Sequence, residues 1–220
     1  VKASSRPCIA LLGGSFDPPH AGHIALARYF ATLLAPDALH IVPAGRPWQK
    51  QDLQTPAEHR VAMARLAFEG LPVPVVIDEQ EVLRTGPTYT IDTLRTLRGE
   101  LGPDASIAFL IGADQLEKLH TWKNWRQLFD YAHVCAASRP GFAFDAAHLP
   151  PEVARECARR AASAEQIRNS PRGLMFLAGG LQVDLSATGI RARLKNGEPA
   201  AGMLPAAVLD YAKRHHLYED

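Results

Sequence analysis

The stretch Gly13-Gly14-Ser15-Phe16-Asp17-Pro18-Pro19-His20-Ala21-Gly22-His23 constrains this chain more than any other. The apolar run Cys8-Ile9-Ala10-Leu11-Leu12 leads straight into it and reads as a buried strand. Behind it Ile24, Ala27, Ala31 and Leu34 recur at helical spacing, so the stretch is a strand-to-helix turn. Two adjacent glycines let backbone N–H groups approach a ligand closely, and Pro18-Pro19 stiffens the loop. His20 and His23 then fall at the start of the helix, on one side of it. A helix N-terminus already attracts phosphate through its free N–H groups and dipole, and two imidazoles add donors at the same point. The alternatives are a zinc pair or two helix-capping histidines. No Cys, His, Asp or Glu cluster at metal-ligand spacing accompanies them, which favours phosphate over metal.

The rest of the chain repeats this alternation. Strands are expected at 7–12, 39–43, 73–78, 106–111, 133–137 and 174–177, each a short apolar run. Pro74 puts the third of these near a sheet edge or at a strand start. Helices are expected at 21–34, 90–101, 115–119, 124–131, 150–167, 188–196 and 205–216, and from Thr55 to about Glu69. There Thr55 reads as the N-cap, Pro56 as the first turn and Glu58 as the capping-box acid. Strands alternating with helices mean an α/β fold, a Rossmann-like doubly wound parallel sheet covered on both faces. At 220 residues, with no composition shift to mark a boundary, residues 1–220 form one expected domain.

Ligands in such sheets bind beyond the carboxyl ends of the strands, where strand order switches. The turns after Leu12, Pro43, Ile111 and Ala137 hold the glycines, His20, His23, Lys50, Asp114 and Arg139, so polar groups converge on one rim. Neither a Walker sequence nor a G-x-G-x-x-G occurs, which disfavours P-loop and nicotinamide-dehydrogenase chemistry. A net charge of +1 argues against broad nucleic-acid or membrane-surface binding. The apolar runs are too short to span a bilayer, and residues 1–6 lack a signal peptide's hydrophobic segment. Cys8, Cys135 and Cys157, an odd set at long spacings, read as buried thiols of a reducing cytoplasm.

The string from Gly13 to His23 resembles the H-x-G-H motif of the nucleotidyltransferase superfamily, in its bacterial nicotinate mononucleotide adenylyltransferase form. Ser186-Ala187-Thr188-Gly189-Ile190-Arg191 matches that superfamily's second motif, S-x-T-x-x-R. Alone it would read as a capped surface helix with a solvated arginine. Beside H-x-G-H it reads as an anion site, with donors at a helix start and a cation one turn in. Arg193 projects to the opposite side of that helix from Arg191. This C-terminal part, residues 186–220, is expected to be helical and to carry the second phosphate motif.

What the resemblance implies extends over nearly the whole chain. The activity would be adenylyl transfer from ATP to nicotinate mononucleotide, with Mg2+ carried by the ATP phosphates and no metal site in the protein. His20, His23, Arg191 and Lys50 would carry the catalytic charge. Gly13, Gly14, Ser15, Phe16, Gly22, Gly112, Asp114, Ser186 and Thr188 would hold ATP, with Asp114 beside the ribose, whose hydroxyls suit an acceptor-only carboxylate. Thr88, Tyr89, Thr90, Trp122, Lys123 and Arg139 would hold the mononucleotide. Backbone N–H groups of Thr90 and Lys123 would meet the carboxylate, Trp122 would stack on the pyridine ring, and Arg139 would meet the phosphate. Trp125 is expected in the core. Helix capping by Thr88 or Thr90 is the competing role for that loop. The loop Pro47-Trp48-Gln49-Lys50 departs from the family's Pro-Pro-His-Lys by a Gln in place of His, and residues 142–172 match poorly. Nicotinamide mononucleotide or phosphopantetheine as acceptor, and a non-catalytic nucleotide-binding regulator or RNA-binding module on the same fold, are the other readings. Partners would be these small molecules, without nucleic acid or membrane, and a homo-oligomer is left open.

Overall fold

A computed structural model describes residues 6–47, 53, 55–138, 149–181 and 185–219. Its centre is a six-stranded sheet: β1 (Cys8–Gly14), β2 (Ala38–Pro43), β3 (Val75–Ile77), β4 (Ser106–Gly112), β5 (His133–Ala137) and β6 (Met175–Ala178). The order is β3-β2-β1-β4-β5-β6 and every pairing is parallel. Strands buried on both faces need apolar residues at successive positions, which is why β1 and β4 are apolar runs and not alternating patterns. The two faces then divide them by parity. Ala10 and Leu12 enter one core with Phe30, Ile41, Met63 and Phe68, while Ile9 and Leu11 enter the other with Ile91, Leu94, Ile107 and Leu128.

The helices are α1 (Ala21–Leu34), α2 (Ala57–Phe68), α3 (Gln80–Leu83), α4 (Thr90–Leu101), α5 (Ala113–Glu117), α6 (Pro151–Arg160), α7 (Ala164–Asn169), α8 (Ala187–Lys195) and α9 (Ala206–Arg214). Residues of α1, α2, α7, α8 and α9 cover the Leu12 face; α4, α5 and α6 cover the Leu11 face. The chain runs outward through β2 and β3 and then crosses back to β4 on the other side of β1. That reversal leaves a crevice between the carboxyl ends of β1 and β4.

Four expectations need correcting. The helix expected over 150–167 is two helices. Ala161 leaves helical geometry and bridges to Met175, and Ser163 starts α7 with a capping box to Gln166. Thr55 is not an N-cap; Pro56 holds that position without a side-chain cap, and Thr55 is buried with its carbonyl accepting from Arg60. Residues 125–130 form a 3-10 segment, not an α-helix. The short helix expected at 115–119 begins two residues earlier, directly at the end of β4. Pro74 immediately precedes β3, which is an edge strand.

Candidate active site

A cleft of about 380 Å³ opens at the crevice. Gly13 and Gly14 end β1 on its floor, Gly112 ends β4 and Ala137 ends β5; Ser15, His20, Gly22, His23, Asp114 and Ser186 line it as well. Thr88, Thr90, Thr93, Glu81 and Trp122 form the wall on the α4 side.

The histidine pair is set by local geometry. His20 takes the N-cap position of α1 in extended conformation, and His23 is the third residue of the helix. The His20 backbone N–H donates to His23 Nδ1 at 3.2 Å. With Nδ1 accepting, the ring's own donor is Nε2–H. The two imidazoles stack with centroids 3.8 Å apart at 30°. Beneath them Phe16 sets its edge against His23 (5.1 Å) and Phe68 (5.5 Å). Phe16 is fully buried at positive φ (49°) and is absent from the cleft wall, and its side chain props the loop from below. Gly14 is what admits it, because a Cβ there would come within 2.9 Å of the Phe16 ring.

The second motif reaches the first. Ser186 caps α8, its Oγ accepting from the Gly189 N–H at 3.2 Å. One turn in, Arg191 Nη1 donates to the Asp17 carbonyl at 2.7 Å, three residues before His20. Thr188 is exposed, and its Oγ1 accepts from Arg191 Nη2 at 3.4 Å, outside the cleft wall. Arg193 turns away and pairs with Glu198 at 3.5 Å. Asp17 is itself held, its Oδ1 accepting from the Tyr218 hydroxyl at 2.6 Å. Burial, reinforced by Asp17, raises the Tyr218 phenol far above its usual range, so it stays a donor.

Arg60 escaped the reading of the sequence. It is 2% exposed. Its guanidinium donates to the carbonyls of Ser15 (3.0 Å), Ala44 (2.6 Å) and Thr55 (3.1 Å), with Gly45 at 3.5 Å. The loop after β1 and the turn after β2 are thereby clipped to one side chain. Burial lowers its pKa, and the carboxylate of Asp17 opposes that shift. The signal was present: Arg60 shares a helical stripe with Met63, Ala64, Ala67 and Phe68, all buried.

On the α4 side, the Thr88 N–H donates to the Arg46 carbonyl at 3.0 Å and Thr88 bridges to Pro47. Tyr89, not Thr88 or Thr90, holds the N-cap position of α4, and no side chain caps it. The Tyr89 ring lies beneath Lys123 Nζ at 4.0 Å, and neither side chain lines the cleft. That contact joins two loops expected to bind the same ligand. Trp122 does line the cleft, edge-on to Phe109 at 6.0 Å, with its Nε1–H buried and lacking a hydrogen-bond partner among the described residues. Trp125 is core, as expected. Trp48, Gln49, Lys50 and Arg139 lie outside the described residues.

The cytidylyltransferase-like family model matches residues 11–193. A protein named "Probable nicotinate-nucleotide adenylyltransferase" from Herminiimonas arsenicoxydans is 61% identical over 219 residues, covering 100% of both chains. Another of the same name, from Chromobacterium violaceum, is 43% identical over 96% of this chain and 98% of its own. Among solved structures, the Plasmodium falciparum nicotinic acid mononucleotide adenylyltransferase complexed with NaAD superposes with a TM-score of 0.74. It spans 97% of this chain and 98% of that one at 18% identity, a likeness of fold.

Proposed function

The chain belongs to the cytidylyltransferase-like family, among its nicotinate-nucleotide adenylyltransferases, and from that premise we propose that it transfers the adenylyl group of ATP to nicotinate mononucleotide. The products are nicotinate adenine dinucleotide and pyrophosphate, a step of NAD biosynthesis. A phosphate oxygen of the mononucleotide bonds to the α-phosphorus of ATP. The bond from that phosphorus to the β-bridging oxygen breaks, and its electron pair leaves with pyrophosphate. The nucleophile is already largely ionised at neutral pH, with a second phosphate pKa of ~6, so no side-chain base is required. Catalysis is then alignment of two phosphates and stabilisation of charge at the α-phosphorus and leaving group.

The observation that carries this reading is the Arg191 hydrogen bond to Asp17, which joins two phosphate motifs 174 residues apart at one loop. In the proposal His23 Nε2–H, His20, Arg191 and Lys50 face the triphosphate, with backbone of Gly13, Gly14, Ser15 and Gly22 around it. Asp114 takes the ribose hydroxyls and Trp122 the pyridine ring. Backbone N–H groups of Thr90 and Lys123 take the carboxylate, and Arg139 the mononucleotide phosphate. In the proposal Mg2+ would arrive on the ATP phosphates and neutralise their charge. We read residues 1–220 as one catalytic domain. Among the described residues no helix is long and apolar enough to cross a membrane, and the free, buried thiols Cys8, Cys135 and Cys157 agree with a reducing cytoplasm.

Pyrophosphate release tests the proposal. With ATP and a panel of nicotinate mononucleotide, nicotinamide mononucleotide and phosphopantetheine, turnover is expected to be fastest with the nicotinate form. Preference for another acceptor, or nucleotide binding without pyrophosphate, overturns it.

A further inference from the structure

Glu81 is a half-buried carboxylate that the phosphate chemistry leaves unused. It stands in the four-residue α3 and lines the α4-side wall of the cleft. Its Oε1 accepts from the Thr93 hydroxyl at 2.6 Å, and the Tyr89 carbonyl lies 3.5 Å from that same hydroxyl. Burial pushes its carboxyl up, while the Thr93 hydrogen bond and the charge of Arg84 pull it back down.

The groups packed around it come from separate segments. Gly45 belongs to the turn after β2, Thr88 to the loop before α4, and Thr93 to the first turns of α4. The packing is close on the same spot: a Cβ at Gly45 would lie 2.0 Å from the Glu81 carbonyl oxygen and 3.0 Å from Thr88 Cγ2. Thr88 is tied on its other side through its N–H to Arg46 and its bridge to Pro47. A half-buried carboxylate is stabilised by a donor beside it, and Glu81 supplies the acceptor that the Thr93 hydroxyl meets.

We propose that Glu81 is a positioning residue for acceptor choice: by anchoring the first turns of α4 through Thr93 and packing with Gly45 against Thr88, it sets the Thr88–Thr90 backbone in the shape that receives the acceptor's carboxylate. The inference rests on the reading above that the acceptor is nicotinate mononucleotide held by the N–H groups of that loop. Glu81 acts from behind the loop and touches no reacting atom. Its loss therefore weakens one substrate and spares the other.

Steady-state kinetics of full-length wild type, E81Q, E81A and T93V test it, with ATP and each of nicotinate and nicotinamide mononucleotide varied. The KM for nicotinate mononucleotide is expected to rise about tenfold in E81A, the size of one lost charge-assisted hydrogen bond. The KM for ATP stays within about twofold, and the nicotinate-to-nicotinamide ratio of kcat/KM falls by a similar tenfold. E81Q keeps one acceptor oxygen but turns an amide NH2 toward donors, so it lies between; T93V moves the ratio in the same direction by less. A structural role alone would lower thermal stability and leave that ratio in place. An unchanged ratio in folded E81Q, or equal rises in both KM values, overturns the proposal. If E81A fails to fold, E81Q and T93V decide, and an unfolded E81Q with a wild-type ratio in T93V also counts against it. Wild type that releases no pyrophosphate with nicotinate mononucleotide sinks the functional reading itself, and this inference with it.

Discussion

Replacing Arg60 by methionine is the most demanding check on how this site is built. The substitution keeps the length and apolar stem of a side chain that is 2% exposed. It removes every donor to the carbonyls of Ser15, Ala44 and Thr55, which lie within 2.6–3.1 Å of the guanidinium. A buried acceptor stripped of its partner costs ~1–3 kcal/mol. Three of them would cost ~3–9 kcal/mol, but the variant also escapes the desolvation that lowers the Arg60 pKa. The net expectation is a loss of ~3–5 kcal/mol, a large part of a typical stability of 5–15 kcal/mol. Arg60→Lys keeps the charge on a single nitrogen, cannot span all three carbonyls, and falls between. Because Ser15 lies in the loop after β1 and Ala44 in the turn after β2, both variants also shift those loops against each other. Displacement of about 1 Å in an aligned pair of reactants is worth up to ~10²-fold in rate. Urea unfolding and kcat measured well below the unfolding midpoint give both readouts. Arg60→Met within ~1 kcal/mol of wild type and with unaltered kcat would refute the idea that this side chain holds the two loops together.

Three further outcomes are expected. His23→Ala should keep the fold and lose ~10²–10³ in turnover, the effect of removing one preorganised charge stabiliser; near-normal turnover would strip His23 of its role. Tyr218→Phe deletes the donor that holds Asp17 at 2.6 Å and should lower stability by ~1–2 kcal/mol, which thermal unfolding of the two chains side by side measures. His133 is buried in its neutral form, Nε2–H donating to the Ser170 carbonyl at 2.9 Å and Nδ1 accepting from the Leu174 N–H at 3.1 Å. Burial lowers its pKa from 6.5 to about 4. Between those values the unfolded chain binds a proton that the folded chain does not, so stability is complete above pH 6.5 and declines as pH falls toward 4. At 1.36 kcal/mol per pH unit the decline is roughly 3 kcal/mol. His133→Gln should flatten that part of the stability-against-pH curve, and an equally steep curve in the variant would contradict the assignment.

Much of this was legible in the order of the residues. The six strands sit on the six short apolar runs, since a parallel sheet buried on both faces needs them. The helix after Gly13–Pro19 begins at Ala21, as expected, with His20 at its N-cap. Even two misread places carried a local signal: Ser163 and Gln166 spell the capping box that divides 150–167, and Arg60 stands on an apolar helical stripe. The four-residue α3 carried none, being too short to show a period.

Other contacts could be settled only in three dimensions. Arg191 was known to face one way on its helix, but the carbonyl it grips is 174 residues distant, and Tyr218 reaches across 201 residues to the same Asp17. Phe16, in a string that reads as ligand-binding, turns under the loop because Phe68 and His23 leave room for its ring there. Glu81 and Thr88 look like unrelated polar residues until β2, α3 and α4 bring them beside Gly45. Periodicity, caps and turns depend on neighbours along the chain, so the sequence alone specifies them. Which loops share a rim depends on the strand order β3-β2-β1-β4-β5-β6, and the partners of a buried charge follow from that order because its hydrogen bonds must be found wherever the fold places an acceptor.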